Sequence, residues 1–403
     1  MESINEIKNN DRRFVRIGVD LYEYLLTPNL SGKMEWTLIP WNYATLTREF
    51  GKDNWPPIEV FHGKTLVPSH LGYQRAVGND YKFWNIYEPL NYTASPGIFP
   101  HIENIIRHIF CAKYEMALDY LQIMYTNPLQ KLPILVLISH ENQTGKTTFC
   151  DLLLEIYGKN AMSLDNEAFR NDFNSEWINK NLIVIDEALL NKKEDSEHIK
   201  ALSTAKFSTS HAKGKDRKAI EPFLKFILAS NNENSPVYLD AEDTRYWIVK
   251  VKKLRNMDPE FFSKMKEEIP AFLDFLKNRS LTTMKKSRMW FAFSDYRTPE
   301  FDRIVRYCRD SVEVELAELL LDIMKKLKKE EVCFSLKIIK KIAMLNGIET
   351  TRNQLKAILS ASWHLIMQKN RYTSIDFRNN EYSLFSVSNG YFFRVTKALL
   401  EKI

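Results

Sequence analysis

The chain has 403 residues, of which 44% are hydrophobic and 12% aromatic, so it can bury a sizeable core and is not a disordered protein. Its 57 basic and 51 acidic side chains leave a formal net charge of +6, which permits a nucleic-acid partner without requiring one. The four cysteines are too widely spaced for a zinc ribbon or a disulfide framework, and with no long apolar run or leader the chain is expected to be soluble and intracellular, without a membrane segment.

The N-terminal region, residues 1–99, combines tryptophans and tyrosines with turn signals that contain Gly, Pro and Asn. This pattern predicts short strands joined by loops. Lys64, Arg75 and Lys82 lie among the aromatic residues. A nucleic-acid surface and a small aromatic-rich core both fit this arrangement, and we favour the core.

The central region, residues 100–295, begins with a helical lead-in whose apolar residues recur at three-and-four spacing up to Asn127-Pro128. A buried strand, a polar loop and a helix closed by Gly158 are then predicted at 132–138, 139–147 and 148–157. Further buried strands are predicted at 182–185, 223–229 and 246–251, and a helix at 259–281. Strands that alternate with helices predict an α/β fold with a parallel, doubly wound sheet.

The C-terminal region, residues 296–403, is predicted to form a second, smaller unit. Its helices are expected at 303–329, 335–345 and 352–362, the last capped by Thr350 or Thr351. A hairpin should follow with its turn at Asn389-Gly390, because Asn-Gly between two alternating runs is a strong hairpin signal. Helix, turn, helix and hairpin together outline a winged-helix-like domain.

The loop between the first buried strand and its helix contains Gly145-Lys146-Thr147. Backbone N–H groups of such a loop, with the positive end of the helix, bind a triphosphate. We expect Lys146 to reach the β- and γ-phosphates of ATP and the Thr147 hydroxyl to bind Mg²⁺. The predicted nucleotide-binding residues are His140, Glu141, Asn142, Gln143, Thr144, Gly145, Lys146, Thr147 and Thr148. His140 stands where the G-x-x-x-x-G-K-T pattern has glycine, and histidine is among the few side chains that tolerate a positive φ.

Two other strands end in polar residues, and ligands of open α/β sheets bind at the carboxyl ends of the strands. Asp186 is expected to hold Mg²⁺ through water, and Glu187 to orient or deprotonate the attacking water. Asn231 is expected to hydrogen-bond the γ-phosphate or that water. Arg245 precedes the fourth strand, where it either completes a neighbouring subunit's site as an arginine finger or is a solvated arginine at a strand edge.

A basic stretch at 206–218 lies between the second and third of these motifs and contains Lys206, Lys213 and Lys215. A mobile basic loop is suited to gripping the phosphates of DNA. A solvated charged loop is the alternative. The position between two site motifs favours DNA binding.

The segments that carry a family resemblance are, in order, HENQTGKTT, NLIVIDEA, KGKD, FILASNN and DTRYW. In their order and spacing the chain resembles the superfamily 3 helicases of phages, plasmids and DNA viruses. The likeness is to the helicase part of phage and plasmid primase-helicases, akin to the poxvirus primase-helicase. It extends over roughly residues 80–295 and implies an AAA+-like P-loop core. Thr244 stands where relatives often have a second arginine.

This resemblance implies an ATP-dependent DNA helicase or translocase that replicates a phage, plasmid or other mobile element in the cytoplasm of a bacterium or virus-infected cell. It also implies a ring, usually a hexamer, with ATP bound between subunits and a single DNA strand or fork as partner. The implied roles are Walker A for Lys146 and Thr147, Walker B for Asp186 and Glu187, sensor for Asn231, DNA grip for Lys213 and Lys215, and arginine finger for Arg245. Fewer than about 100 residues precede the likeness, too few for a primase domain, so we expect priming to come from a separate primase or polymerase.

Two other functions fit the same motifs. One is a non-unwinding P-loop ATPase switch, such as a loader or a defence component. The other is a DNA-binding replication initiator whose ATPase is degenerate, a reading that His140 suggests.

Overall fold

The computed structural model describes residues 12–401 apart from 31, 33, 212, 215, 241, 255–257, 379 and 380, and only the backbone of 309–311 and 388. These residues form two compact units. The first contains the described residues up to Leu190 with Glu194–Pro236 and Thr244–Thr298, and the second contains Asn191–Lys193, Val237–Asp243 and the chain from Pro299. Within the described ranges no helix has the length and apolar content needed to cross a membrane.

The strands, in chain order, are β1 (Arg13–Ile17), β2 (Asp20–Pro28), β3 (Met34–Trp41), β4 (Ile58–Phe61), β5 (Lys64–Thr65), β6 (Ala76–Val77), β7 (Phe83–Asn85), β8 (Ile134–Ile138), β9 (Ala161–Leu164), β10 (Leu182–Ile185), β11 (Ser208–Ser210), β12 (Lys218–Ile220), β13 (Lys225–Ser230), β14 (Tyr246–Lys250), β15 (Glu331–Phe334), β16 (Gln368–Arg378) and β17 (Glu381–Thr396). The helices are α1 (Tyr43–Phe50), α2 (Pro100–Phe110), α3 (Tyr114–Thr126), α4 (Lys146–Tyr157), α5 (Asn166–Arg170), α6 (Lys193–Thr204), α7 (Phe261–Asn278), α8 (Phe293–Tyr296), α9 (Pro299–Leu327), α10 (Leu336–Leu345), α11 (Arg352–Ala357) and α12 (Lys397–Leu400).

The centre of the first unit is a five-stranded sheet of order β14-β8-β13-β10-β9. Every neighbouring pair in it is parallel. The prediction of a mixed α/β fold with a parallel sheet is therefore confirmed. The edge strand β9 was not predicted, because its four residues, Ala-Met-Ser-Leu, are too few and too mixed in polarity to give a strand signal.

Helices cover both faces of this sheet, so its strands are buried on both sides, as is usual for parallel sheets. One face packs against α2, α3, α4 and α7 in a single apolar cluster. On the other face Phe226 contacts Phe169 of α5, with ring centroids 6.2 Å apart. The Tyr246 hydroxyl on the same face lies 2.8 Å from the Ser196 hydroxyl of α6. The apolar strand runs in the sequence follow from this double burial.

The N-terminal region contains two small sheets, of order β3-β2-β1-β4 and β5-β7-β6. Val15, Ile17, Phe61 and Trp84 form an apolar cluster from both, which confirms the expected aromatic-rich core. Asn160, the residue just before β9, attaches this region to the large sheet. Its amide oxygen accepts from the Glu88 N–H at 3.0 Å, and its amide nitrogen donates to the Glu88 carbonyl at 2.7 Å.

The second unit contains the long helix α9, the helices α10 and α11, and strands β15–β17. The helix predicted at 335–345 is present as α10, and Ser335 is its cap. Of the two threonines considered, Thr351 caps α11, because its hydroxyl accepts from the Gln354 N–H at 3.1 Å. α11 is shorter than predicted and continues as a single wide turn at Ile358–Ser362. Residues of α9, α10, α11, β15 and β17 share one apolar core.

The predicted hairpin turn at Asn389-Gly390 is wrong. β17 continues through both residues. It pairs with β16, a strand that was not predicted, from Glu381 to Phe392, and its last residues pair with β15. The register of this pairing shifts between Asn370 and Tyr372, so Asn389-Gly390 lies at an irregularity of the ladder. A β-bulge provides a place for residues that local sequence associates with turns. The pairing of β16 with the residues before and after Asn389-Gly390 therefore outweighs the local turn preference of this dipeptide.

A buried carboxylate, Asp119 of α3, joins this helix to the chain that follows α7. It is fully buried, bonds Arg279 at 2.6 Å and accepts from the N–H groups of Thr282 and Thr283 at 3.0 and 2.7 Å. Burial alone would raise the pKa of Asp119. The hydrogen bonds from Thr283, Arg279 and Thr282 outweigh this effect, so the pKa lies below its ordinary value.

We predict that Asp119→Ala destabilises the protein by roughly 3–5 kcal/mol, because Arg279 then loses its buried partner and keeps only the exposed Glu115 as an acid among the described residues, and the N–H groups of Thr282 and Thr283 lose their acceptor. Because the carboxyl pKa is lower in the folded than in the unfolded protein, Asp119 stabilises the fold at pH values above the unfolded-state pKa. This stabilisation is lost as pH falls through the folded-state pKa. Urea unfolding at neutral pH and in acid should therefore show a weaker acid dependence in Asp119→Ala than in the wild type. Asp258→Ala, which breaks an exposed pair with Lys264, is the control and should change little. Equal losses in the two variants would contradict this role for Asp119.

Candidate functional site

The polar residues predicted at the strand ends line one pocket of about 330 Å³ at the carboxyl edge of the sheet. The pocket brings together the loop before α4 and the ends of β10 and β13. Its lining residues are Asn142, Gln143, Thr144, Gly145, Lys146, Thr147, Thr148, Asp186, Glu187, Ser230, Asn231 and Leu254. His140 and Glu141, which were predicted to bind nucleotide, do not line it. They belong to the first turn after β8.

The loop takes its sharp turns at Gln143 and Gly145, whose φ angles are 60° and 84°. Gly145 is the N-cap of α4, and a Cβ atom there would lie 2.7 Å from Ile105 Cδ1. His140 is not among the residues with positive φ. The expectation that residue 140 needs a glycine-like backbone is therefore wrong, since this loop makes its left-handed turns three and five residues later.

Side chains from outside the strand–loop–helix segment hold the loop. The Glu233 carboxylate accepts from the His140 N–H at 2.8 Å and pairs with Lys250 at 2.8 Å. His108 of α2 lies 3.1 Å from the Thr144 carbonyl and 3.0 Å from the Lys252 carbonyl through the same ring nitrogen. The loop conformation is therefore supported by its surroundings as well as by Gly145.

Lys146, the first residue of α4, is 6% exposed. Its ammonium group donates to the Asn231 amide oxygen at 3.0 Å and lies 3.3 Å from the Thr144 hydroxyl. Burial lowers the pKa of Lys146, while the nearby Asp186 carboxylate opposes that shift. A buried ammonium that faces a polar pocket is stabilised by any anion that enters it.

Thr147 and Asp186 meet across the pocket, where the Thr147 hydroxyl donates to Asp186 Oδ2 at 3.0 Å. These two oxygen-bearing side chains are of the kind that Mg²⁺ prefers. No cluster of three or more His, Cys, Asp or Glu side chains that could hold a metal ion occurs in the described part of the chain. Any cation here would therefore take the rest of its coordination from water or from the oxygens of a ligand.

Glu187 is exposed beside Asp186 and has a left-handed backbone, with φ of 52°. Asn166, which begins α5, holds this turn. Its amide nitrogen donates to the Glu187 carbonyl at 3.1 Å, and its amide oxygen accepts from the Leu189 N–H at 2.9 Å. Non-glycine residues in this region cost on the order of 1–3 kcal/mol and persist where neighbouring groups fix them.

Arg245 is not brought to the pocket of its own chain. It precedes β14, and its carbonyl accepts from the N–H of Ile134, the first residue of β8, at 2.8 Å. The loop begins at the opposite end of β8, about 16 Å away for a strand of this length. A role for Arg245 at a nucleotide would therefore have to be in the pocket of a neighbouring subunit.

The basic stretch forms a β-hairpin, because β11 and β12 pair antiparallel with Ser208 opposite Ile220. Lys206 is exposed just before β11, and Lys213 is exposed in the connection between the strands. Lys215 lies outside the described residues. Phe207, beside Lys206, is 73% exposed. The hairpin, in place of the expected loop, presents cations on a defined support.

Sequence reasoning missed His108, Glu233, Leu254 and Asn166 as parts or supports of this site. Each acts through a contact between segments far apart in the chain. Only Glu233 had a nearby signal, since it follows Asn231 by two residues in a polar run after a buried strand.

We predict that Gly145→Ala destabilises the protein more than Gly214→Ala does. Both glycines have positive φ, 84° and 72°, so both variants carry the left-handed penalty of roughly 1–2 kcal/mol. Only Gly145→Ala also forces a Cβ against Ile105, whereas no atom of the described residues lies within 4 Å of the Cβ position at Gly214. Overpacking of this kind adds roughly 1–3 kcal/mol, which urea unfolding would measure. A Gly214 variant that loses as much stability would contradict the packing argument.

The family DUF5906, a family of unknown function, matches residues 137–245. No curated protein matches the chain. The apo structure of the NrS-1 C terminal region is similar, with a TM-score of 0.57 and 12% identity over 94% of this chain and 96% of that chain. A further A form apo structure of the same region gives a TM-score of 0.56. A JCV helicase matches at 11% identity over 54% of this chain and 62% of that chain, with a TM-score of 0.30, which is too low to indicate a shared fold. The chain therefore has the fold of the NrS-1 C terminal region.

Proposed function

We propose that this chain is an ATP-dependent DNA helicase or translocase of superfamily 3 type that acts in the replication of a phage, plasmid or other mobile element. One observation carries the proposal. A single pocket contains the Gly145-Lys146-Thr147 loop, the Asp186-Glu187 pair and Asn231, on three strands of a parallel sheet. Each of these residues on its own is common, and their convergence favours one chemistry.

The pocket residues fit a nucleoside triphosphate with Mg²⁺. Gly145 lacks the side chain that would fill the space beside Ile105, and the first turn of α4 follows it with its positive end toward the pocket. Lys146 would hold the β- and γ-phosphates, and Thr147 with Asp186 would hold Mg²⁺. The bound nucleotide and cation would supply the phosphoryl group and neutralise charge on it.

The remaining pocket residues suit hydrolysis. Glu187 is exposed next to Asp186 and would orient or deprotonate the attacking water. Asn231 is bonded to Lys146 at 3.0 Å, so its amide would move with the group that meets the γ-phosphate. Asn166 would act as a positioning residue for Glu187 through the backbone.

DNA would be gripped by the β11–β12 hairpin. Lys206 and Lys213 are exposed, and phosphate contacts of this kind do not depend on base sequence. The helices and hairpin of the second unit would act as a winged-helix-like domain for duplex DNA or a protein partner, with α10 lysines Lys337, Lys340 and Lys341 as phosphate contacts.

The active form would be a ring, a hexamer as is usual among superfamily 3 helicases, in which Arg245 of one subunit completes the pocket of the next. The position of Arg245, at the sheet edge away from its own pocket, supports this arrangement. A separate primase or polymerase would supply primers. The degenerate-ATPase alternative loses its main support, since residue 140 does not adopt a glycine-like backbone.

We predict that single-stranded DNA stimulates ATP hydrolysis and that Lys146→Ala lowers the rate by roughly 10²-fold or more, because a buried cation at the phosphates is lost. Phosphate release with and without DNA, and unwinding of a labelled fork, would measure this. Lys277→Ala, on the exposed side of α7, should leave both activities intact. Hydrolysis that DNA does not affect would instead indicate an ATPase switch. An absence of turnover in the wild type would indicate a degenerate initiator.

We predict that Arg245→Ala and Lys146→Ala proteins, each inactive alone, recover part of the wild-type hydrolysis when they are mixed and allowed to exchange subunits. An intact pocket from one variant would then meet an intact Arg245 from the other. A mixture of Lys146→Ala with Glu187→Gln should stay inactive, since both defects lie in the same pocket. Failure of the first mixture, with subunit exchange verified by labelled protein, would refute action between subunits.

A further inference from the structure

The N-terminal region contains a pocket of about 670 Å³ that the proposed ATPase does not use. It lies where the face of β1, β2 and β3 meets residues on and before the smaller sheet. The lining residues that matter here are Arg13, Tyr24, Trp36, Tyr73, Arg75 and Trp84. Its volume lies within the ~300–1,000 Å³ that ligand sites usually occupy.

The pocket wall is aromatic, and part of it is open to solvent. Tyr24 and Trp36 are stacked, with centroids 4.7 Å apart and planes at 26°. Trp36, on the edge strand β3, is 41% exposed, whereas Trp84 at the base of the pocket is 4% exposed. An exposed, pre-stacked ring pair provides a surface on which another flat ring can stack with little loss of conformational freedom.

Among the described residues around the pocket, the charges leave one arginine without an acidic partner. Arg75 is held by Glu88 at 2.6 Å while it lies over the Trp84 ring at 4.8 Å. Arg12 is held by Glu23 and Glu49. The wall acid Glu59 lies 3.6 Å from Lys82.

Arg13 is different. Its guanidinium lies 5.3 Å from the Trp36 ring centroid, and it has no acidic partner within 4.0 Å among the described residues. The hydroxyl of Tyr73 is buried in the same wall, and no hydrogen-bond partner for it occurs in the part of the chain that the structure describes. The pocket therefore offers a stacking surface, a single cation and a polar atom able to donate or accept.

We propose that this pocket binds one nucleobase of single-stranded DNA, stacked on Trp36, with the adjoining phosphate on Arg13 and a base edge at the Tyr73 hydroxyl. A nucleobase fits the aromatic wall, and a single phosphodiester charge fits Arg13, the one arginine of the described pocket lining without an acidic partner. A free triphosphate would call for several cations, and a cationic ligand would be repelled by Arg13. The proposal extends the DNA-binding part of the proposed function to a second contact, remote from the β11–β12 hairpin in sequence.

Affinity of the full-length protein for a short fluorescein-labelled oligothymidylate, without nucleotide, tests the proposal by fluorescence anisotropy. Trp36→Ala should weaken binding about tenfold, the loss of one base stack. Arg13→Gln should weaken binding and lower the slope of log affinity against log salt by about 0.7, the loss of one phosphate contact. Trp36→Tyr, which keeps a stacking ring, should bind nearly as well as the wild type.

The matched controls are Trp55→Ala and Arg16→Gln. Trp55 is 40% exposed but packs against Tyr43 outside the pocket, and Arg16 is an exposed arginine of the same strand β1. Both controls should bind like the wild type, with thermal unfolding used to verify that every variant is folded. Equal binding by Trp36→Ala and the wild type would overturn the proposal. So would displacement of the oligonucleotide by equimolar dAMP, which would indicate a free-nucleotide site.

The outcome is separable from that of the proposed function. Lys213→Ala, measured in parallel, reports on the hairpin and on DNA-stimulated hydrolysis. Loss of affinity in Trp36→Ala with no DNA-stimulated hydrolysis in the wild type would leave the pocket assigned and the helicase refuted. Stimulated hydrolysis with normal affinity in Trp36→Ala would do the reverse.

Discussion

The parallel pairing of β8, β13 and β10 is the constraint on which the candidate site depends. β13 lies between the other two strands, and the register sets Ile138 opposite Ser230 and Ile185 opposite Leu228. The residues that follow these strands must therefore leave the sheet at the same edge. Because β13 is central, Asn231 lies between the loop before α4 and the acidic pair after β10. The contact of Lys146 with Asn231, and not with an acid, follows from that strand order.

The pocket is held by polar groups that are themselves paired. Glu233 accepts from the backbone of the loop and binds Lys250, and Asn166 holds the strained turn at Glu187. Buried or half-buried polar groups destabilise a fold unless their hydrogen bonds are made. Each support therefore serves stability as well as position. Lys146 differs from them, because it is buried and forms no ion pair with any residue that the structure describes, which suits a site that receives an anion.

The sequence predicted those parts of the fold whose signals are local. Apolar runs gave four strands of the parallel sheet, and Ser335 marked the start of α10. Local patterns could not predict contacts between segments that are distant in the chain, such as those of His108 and Glu233 with the loop before α4. The Asn389-Gly390 turn failed for the same reason, since pairing with β16 is invisible to a local pattern. At His140 the pattern was read too strictly, because backbone geometry can shift along a loop while the glycine that caps the helix stays fixed.

β14 runs from the end of the sheet where Arg245 lies to the end where the pocket lies, which bears on cooperation between subunits. Arg245 precedes the first residue of β14, and Lys250, its last residue, binds the Glu233 carboxylate that holds the loop before α4. Between them the strand is buried and pairs with β8 from Tyr246 to Lys250. Such a strand transmits a displacement along its axis without a hinge. In the proposed ring, a displacement of Arg245 by the nucleotide of one subunit would then reach the phosphate-binding loop of the subunit to which Arg245 belongs, so successive sites would be mechanically coupled in series.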